Sequence, residues 1–144
     1  MFSNFFFKKK YNKLSFEDIQ FAVQNPDQII LINTLYINEQ DCLIKNTISH
    51  NEEETIINTL ITNYELTTKK IIVYGKNNID ETCFQKYDQL VNLGFSNVYV
   101  YVGGMFEWLL LQDIYGNNSF PTTKNMLDIL KYKPFRTFGS NLLL

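Results

Sequence analysis

GFSNVYVYVGGMFEW, residues Gly94 to Trp108, carries the densest structural instructions in this chain. Gly94 suits the residue just past a helix, where the backbone turns left-handed and a side chain is unwelcome. Asn97 to Val102 is a run of β-branched and aromatic residues, which reads as a strand. Gly103-Gly104 allows a tight turn into a helix from Met105 to about Tyr115, with Trp108 packed under that turn. A strand that passes through glycines into a helix is the βα step of an α/β protein.

Reading outward, Lys70 to Tyr74 (KIIVY) is the clearest buried strand, followed by a polar loop and a helix from Thr82 to Leu93. Glu52, Glu53 and Glu54 open the preceding helix, where acids complement the helix dipole. Ile56, Ile57, Leu60, Ile61 and Tyr64 are its expected buried face. Ile29 to Ile32 reads as an earlier strand, and Leu43 to Ile48 as a weaker one. Ser15 with Asp18 three residues on forms a capping pattern for a helix whose face is Phe16, Ile19 and Val23; Asn25-Pro26-Asp27 ends it. Strands alternating with helices imply crossovers, and so a mostly parallel central sheet with helices on both faces. Beyond Gly116 the pattern predicts a short C-terminal helical extension, from Thr122 or Thr123 to Tyr132, with Met126, Leu127 and Leu130 on one face and Pro134 as its stop.

The 144 residues are enough for one domain, and 45% apolar with 19% charged residues is a globular composition. The net charge of -2 is unevenly spread. Lys8, Lys9, Lys10 and Lys13 sit among Phe2, Phe5, Phe6, Phe7 and Tyr11; the rest holds 9 basic against 15 acidic residues, a net of -6. An acidic body argues against nucleic acid as a partner. The basic-aromatic arm reads as a strand or loop packed on the domain, or as a weak membrane-surface anchor. Cys42 and Cys83 are too few for a disulfide framework or a zinc site. No apolar run reaches 18 residues, and Met1 to Phe7 is too short for a signal-peptide core, so a reducing, cytoplasmic location is expected. No phosphate-binding loop, nucleophile elbow or metal motif occurs, so no cofactor or metal is expected. His50 lies in a polar loop and reads as solvated. Abundant Asn, Ile and Tyr resemble AT-rich coding sequence, as in some protists and large DNA viruses, which brings in a virion component as a sub-reading.

The Gly94–Trp108 stretch resembles the closing segment of rhodanese-like domains: Gly-Phe, an Asn-Val-Tyr strand, Gly-Gly, then Trp. The resemblance spans residues 14–116, leaving residues 1–13 as an arm and 117–144 as an extension. It implies the rhodanese-like α/β fold, with Gly94, Gly103, Gly104 and Trp108 in structural roles. It also implies where the active-site loop falls, and there the family's residues are missing. The catalytic cysteine after the Val-Tyr strand end is Gly75, and the arginine five residues later is Asp80, followed by Glu81. The family's Asp-x-Arg reads Asn33-Thr34-Leu35, its His-Ile reads Leu43-Ile44, and its Gly-Ala reads Asn46-Thr47.

That chemistry needs a thiolate cradled by loop N–H groups at a helix N-terminus. The loop Gly75, Lys76, Asn77, Asn78, Ile79, Asp80, Glu81 offers no sulfur, and its two acids stand where an anionic substrate would bind. The expectation is a pseudoenzyme acting as a protein-interaction or structural module, its cradle filled by its own carboxylates. Lys76, at the strand end, can offset part of that charge or point to solvent. The rival reading is a thiol enzyme, a sulfurtransferase or phosphatase, with Cys83 as nucleophile near a helix start; against it, a small buried Cys83 would simply pack on the sheet. A third reading is a peripheral membrane adaptor working through the arm.

Overall fold

A computed structural model describes residues 10–139. Three parallel strands, β1 (Ile29–Asn33), β2 (Lys70–Tyr74) and β3 (Val98–Tyr101), form a sheet in that order, with Leu31 opposite Ile72 and Val73 opposite Val100. Four helices flank it: α1 (Phe16–Gln24), α2 (Glu53–Thr62), α3 (Thr82–Asn92) and α4 (Gly104–Tyr115).

Because strand side chains alternate between faces, the continuous apolar runs serve two cores at once. Ile29, Leu31, Ile72, Tyr74 and Tyr101 face one way and pack with Ile19 and Ala22 of α1 and Met105, Trp108 and Leu109 of α4. Ile30, Ile32, Ile71, Val73, Val98 and Val100 face the other way, against Ile57 and Leu60 of α2 and Cys83, Tyr87 and Leu90 of α3. Helices therefore cover both faces, as the alternating pattern requires.

Local instructions read from sequence act where they were expected. The Ser15 N–H donates to the Asp18 carboxylate at 3.0 Å at the start of α1. Gly94 has φ of +108°, and the Phe95 N–H closes on the Leu90 carbonyl, ending α3. At the other end of β3, Gly104 has φ of +66° while Gly103 is helical at -58°. Only Gly104 of this pair is held to glycine by its backbone angle.

Three expectations are corrected. Leu43 to Ile48 is not a strand; it makes isolated bridges, Leu31 with Thr47 and Ile44 with Thr122. Its backbone is claimed elsewhere: the Ile44 N–H donates to the Tyr74 hydroxyl at 3.2 Å, and Asn46 turns left-handed at φ 69°. Residues 122–132 are not an α-helix either. The Thr123 N–H donates to the Leu43 carbonyl and the Lys45 N–H to the Pro121 carbonyl, so the stretch starts extended; only Ile129–Tyr132 coils, as a 3-10 turn. Met126 is half-buried, but Leu127 is 97% and Leu130 63% exposed, and burial falls instead to Phe120 and Tyr132. Finally, Tyr64 is not on the buried face of α2. The helix stops at Thr62, and Tyr64 takes φ of 59° in a left-handed cap, with the Glu65 N–H bonded to the Leu60 carbonyl. A tyrosine does there what glycine usually does.

Both outer strands are partly covered. Asn12 and Leu14 pair with Val100 on the free side of β3, and the Ile48 N–H bonds Leu31 on the free side of β1. Tyr11 packs edge-on against Phe84 and Tyr87 at 4.6 and 4.9 Å. Phe2, Phe5, Phe6, Phe7, Lys8 and Lys9 lie outside the described residues. Among the described residues, no helix is long and apolar enough to cross a membrane.

Candidate functional site

In an open parallel sheet, sites form beyond the carboxyl ends of the strands, where loops lead into helix N-termini. Here that place is the loop from Gly75 to Glu81, between β2 and α3. It is fastened from the side by the start of α4: the Met105 N–H donates to the Gly75 carbonyl at 3.0 Å and the Phe106 N–H to the Lys76 carbonyl at 2.9 Å. Loop and helix approach so closely that a Cβ on Gly104 would sit 2.6 Å from the Gly75 oxygen.

The interior of the loop is occupied by Asp80. One carboxylate oxygen accepts the Lys76 N–H at 2.9 Å; the other accepts the Thr82 N–H at 3.0 Å and the Thr82 hydroxyl at 2.7 Å. Thr82 in turn shares a hydrogen bond with Thr34, from the end of β1. Two of the N–H groups that a βα loop would offer to an anion, those of Lys76 and Thr82, are thus bonded to a carboxylate of the same chain. Glu81 does not join it: its side chain is exposed, and only its backbone carbonyl works, accepting from Phe84 and Gln85 at the start of α3.

Gly75 is buried against this arrangement. A Cβ built on it would stand 2.7 Å from Asp80 Oδ2 and 3.2 Å from Thr34 Oγ1. Asn77 is buried too, its side-chain Oδ1 accepting the Ile79 N–H and its side-chain Nδ2 donating to the Tyr132 carbonyl at 3.1 Å. Asn78 and Ile79 are exposed.

Of the two courses open to Lys76, it takes a pairing, but with an acid outside the loop. Its ammonium pairs with Glu39 at 2.7 Å, and the Glu39 side chain is 10% exposed. Glu39 was invisible in the sequence as a site neighbour, since 37 residues separate the pair. Asn33, which stands where the resemblance puts an aspartate, accepts the Leu35 N–H and the Gln40 amide through its carbonyl oxygen.

Cys83 lies in the first turn of α3 but faces the sheet, 1% exposed. Burial pushes its thiol up to about 11, and the Asp80 charge pushes the same way. That is the opposite of an activated thiol, whose pKa is lowered. Cys42 is also buried, donates to the Lys124 carbonyl, and is raised by burial. His50 is exposed, at the rim of a polar cleft of about 890 Å³ between α2 and α3, which the Lys86–Glu53 ion pair spans at 2.6 Å. None of residues 75–81 lines that cleft. Among the described residues, no group of three or more His, Cys, Asp or Glu side chains could hold a metal ion.

The fold is that of an α/β domain with a loop-cradle at the carboxyl end of its middle strand. The family model of the rhodanese-like domain matches residues 25–111, more than half of the chain, and the protein belongs to that family. Solved structures share the fold. The Alr3790 protein from Anabaena sp. superposes with a TM-score of 0.56 at 18% identity, covering 82% of this chain and 97% of that one. The BH2092 protein from Bacillus halodurans gives 0.56 at 20% identity, covering 73% and 74%. The single-domain sulfurtransferase RDL2 of Saccharomyces cerevisiae gives 0.54 at 16% identity, covering 76% and 97%. No curated protein matches.

Proposed function

We propose that this rhodanese-like domain has given up sulfur transfer and serves as a protein-interaction or structural module. The observation that carries the reading is the position of Asp80. Its carboxylate holds the Lys76 and Thr82 N–H groups at the two ends of the loop, and it crowds the point where a side chain on residue 75 would begin. A cysteine could not be put back at Gly75 without moving Asp80, so the loop is organised around the absence of a thiol.

The rival reading, a thiol enzyme acting through Cys83, is favoured by likeness to a sulfurtransferase in fold alone. Against it stand the burial of Cys83 and its raised pKa. One experiment separates the two. The purified chain is offered thiosulfate and cyanide, and thiocyanate is measured beside Cys83→Ser and Gly75→Cys/Asp80→Ala variants. The proposal expects no turnover above buffer from the parent chain. Turnover that disappears in Cys83→Ser would overturn it in favour of the thiol enzyme.

A further inference from the structure

Charge in this chain is divided more sharply than its net of -2 suggests. Residues 14–123 hold five basic and fourteen acidic side chains, a net of -9, whereas residues 124–138 hold four basic side chains and one acid, a net of +3. Those four, Lys124, Lys131, Lys133 and Arg136, are all exposed. Between them stand Leu127, Leu130, Phe135 and Phe138, exposed by 97%, 63%, 88% and 92%. Isolated exposed apolar residues are ordinary, but four large ones within twelve residues, interleaved with cations on an acidic protein, are not.

The stretch is also held in place. Phe120 and Tyr132 are sunk in the core, the Tyr132 carbonyl is bonded by Asn77, and the Lys124 carbonyl by Cys42. We propose that residues 124–138 form a contact surface for an anionic phospholipid membrane, lysines and arginine meeting headgroups while the leucines and phenylalanines enter the interface. This goes beyond the proposed loss of catalysis and does not depend on it.

Charge complementarity gives the sign of the partner, and the side chains choose among negative partners. Interleaved cations and bulky apolar groups are the composition of interfacial membrane segments. Leucine has no aromatic face on which a base could stack, so Leu127 and Leu130 give nothing to a single-stranded nucleic acid. A fluid bilayer, unlike a protein partner, needs no shaped recess to accept side chains that project this far.

The test is sedimentation of the full chain with vesicles of phosphatidylcholine, with or without phosphatidylserine. Two variants assign the surface: Lys131→Gln/Lys133→Gln/Arg136→Gln, and Leu127→Ser/Leu130→Ser/Phe135→Ser. All six side chains are exposed, so both variants should keep the near-ultraviolet dichroism of buried Trp108. The chain should pellet with phosphatidylserine vesicles and not with phosphatidylcholine alone, and each variant should lower partitioning by more than about tenfold. Failure to pellet, or pelleting unchanged in both variants, would overturn the proposal. So would capture by polyglutamate or single-stranded DNA at a salt concentration where vesicles no longer bind. Phe138→Ser is a milder check, expected to weaken binding without touching the fold.

Discussion

Gly104 and Gly75 meet backbone to backbone: a Cβ on Gly104 would lie 2.6 Å from the Gly75 carbonyl oxygen and 3.0 Å from the Asn77 nitrogen. No flexible side chain is available to give way, and φ at Gly104 is +66°. Gly104→Val should therefore destabilise the domain by about 2–4 kcal/mol, visible as a lowered thermal midpoint. Gly103→Ala should cost less, because the atoms it would meet belong to the Glu107 side chain. Equal melting temperatures for the two variants would contradict this account of the turn.

Asp80 is expected to matter for stability and for ligand exclusion together. Asp80→Ala leaves the Lys76 and Thr82 N–H groups without their acceptor and should cost about 1–2 kcal/mol by denaturant titration. The same change frees the cradle. Crystals of the parent soaked in concentrated sulfate should show no anion on the amides of residues 76–80, and those of Asp80→Ala should show one. Sulfate in the parent would mean that the cradle is open after all.

Cys83 should behave as core. At neutral pH a thiol electrophile should modify it only at the rate of unfolding. Its raised pKa also gives a signed pH dependence. The folded state holds the proton up to about 11, against 9.0 for an ordinary thiol. The resulting stability is present below pH 9 and is lost as pH rises through the folded value. Parent and Cys83→Ala should thus differ in alkaline denaturation, the parent losing stability more steeply above pH 9. Parallel curves would count against burial of the thiol.

The stretch after Gly116 belongs to the core through two side chains. Phe120→Ala should cost about 3–5 kcal/mol, since its ring packs on Trp108 at 5.0 Å, while Leu127→Ala should stay within about 0.5 kcal/mol of the parent. Amide exchange should be slow at Thr123 and Lys45, whose N–H groups bond across to the other segment, and fast around Leu127. Uniformly fast exchange from Pro121 to Tyr132 would refute the packing.

What could be read from the sequence was what local chemistry decides. Continuous apolar runs gave all three sheet strands, and Ser15, Gly94 and Gly104 gave element ends, because caps and left-handed turns depend on neighbours in the chain. Asp80 as the filler of the loop was legible for the same reason: it lies five residues from Gly75. Errors came where distant partners decide. Leu43 to Ile48 looks like a strand until Tyr74 and Pro121 take its hydrogen bonds. The spacing of Met126, Leu127 and Leu130 suggests a helix face until the Leu43 pairing pulls the backbone straight. Tyr64 misled because the left-handed cap falls on a residue type that rarely takes it. The Glu39–Lys76 pair had no local trace at all.

The single-residue pairings of Asn12 and Leu14 on β3, and of Ile48 on β1, do more than finish hydrogen bonds. A three-stranded sheet with bare flanks is a template on which another chain can lay its own strand. On β3 the segment is held by two backbone bonds to Val100, by Asn12 to Val98 and Tyr87, and by the Tyr11 ring, whereas the Ile48 N–H is bonded to Leu31 alone. Peeling back residues 12–14 would open β3 while the rest of the domain stayed folded. The first misassembled species of this protein should therefore be a near-native chain joined to its neighbour edge to edge, not a collapsed or unfolded one.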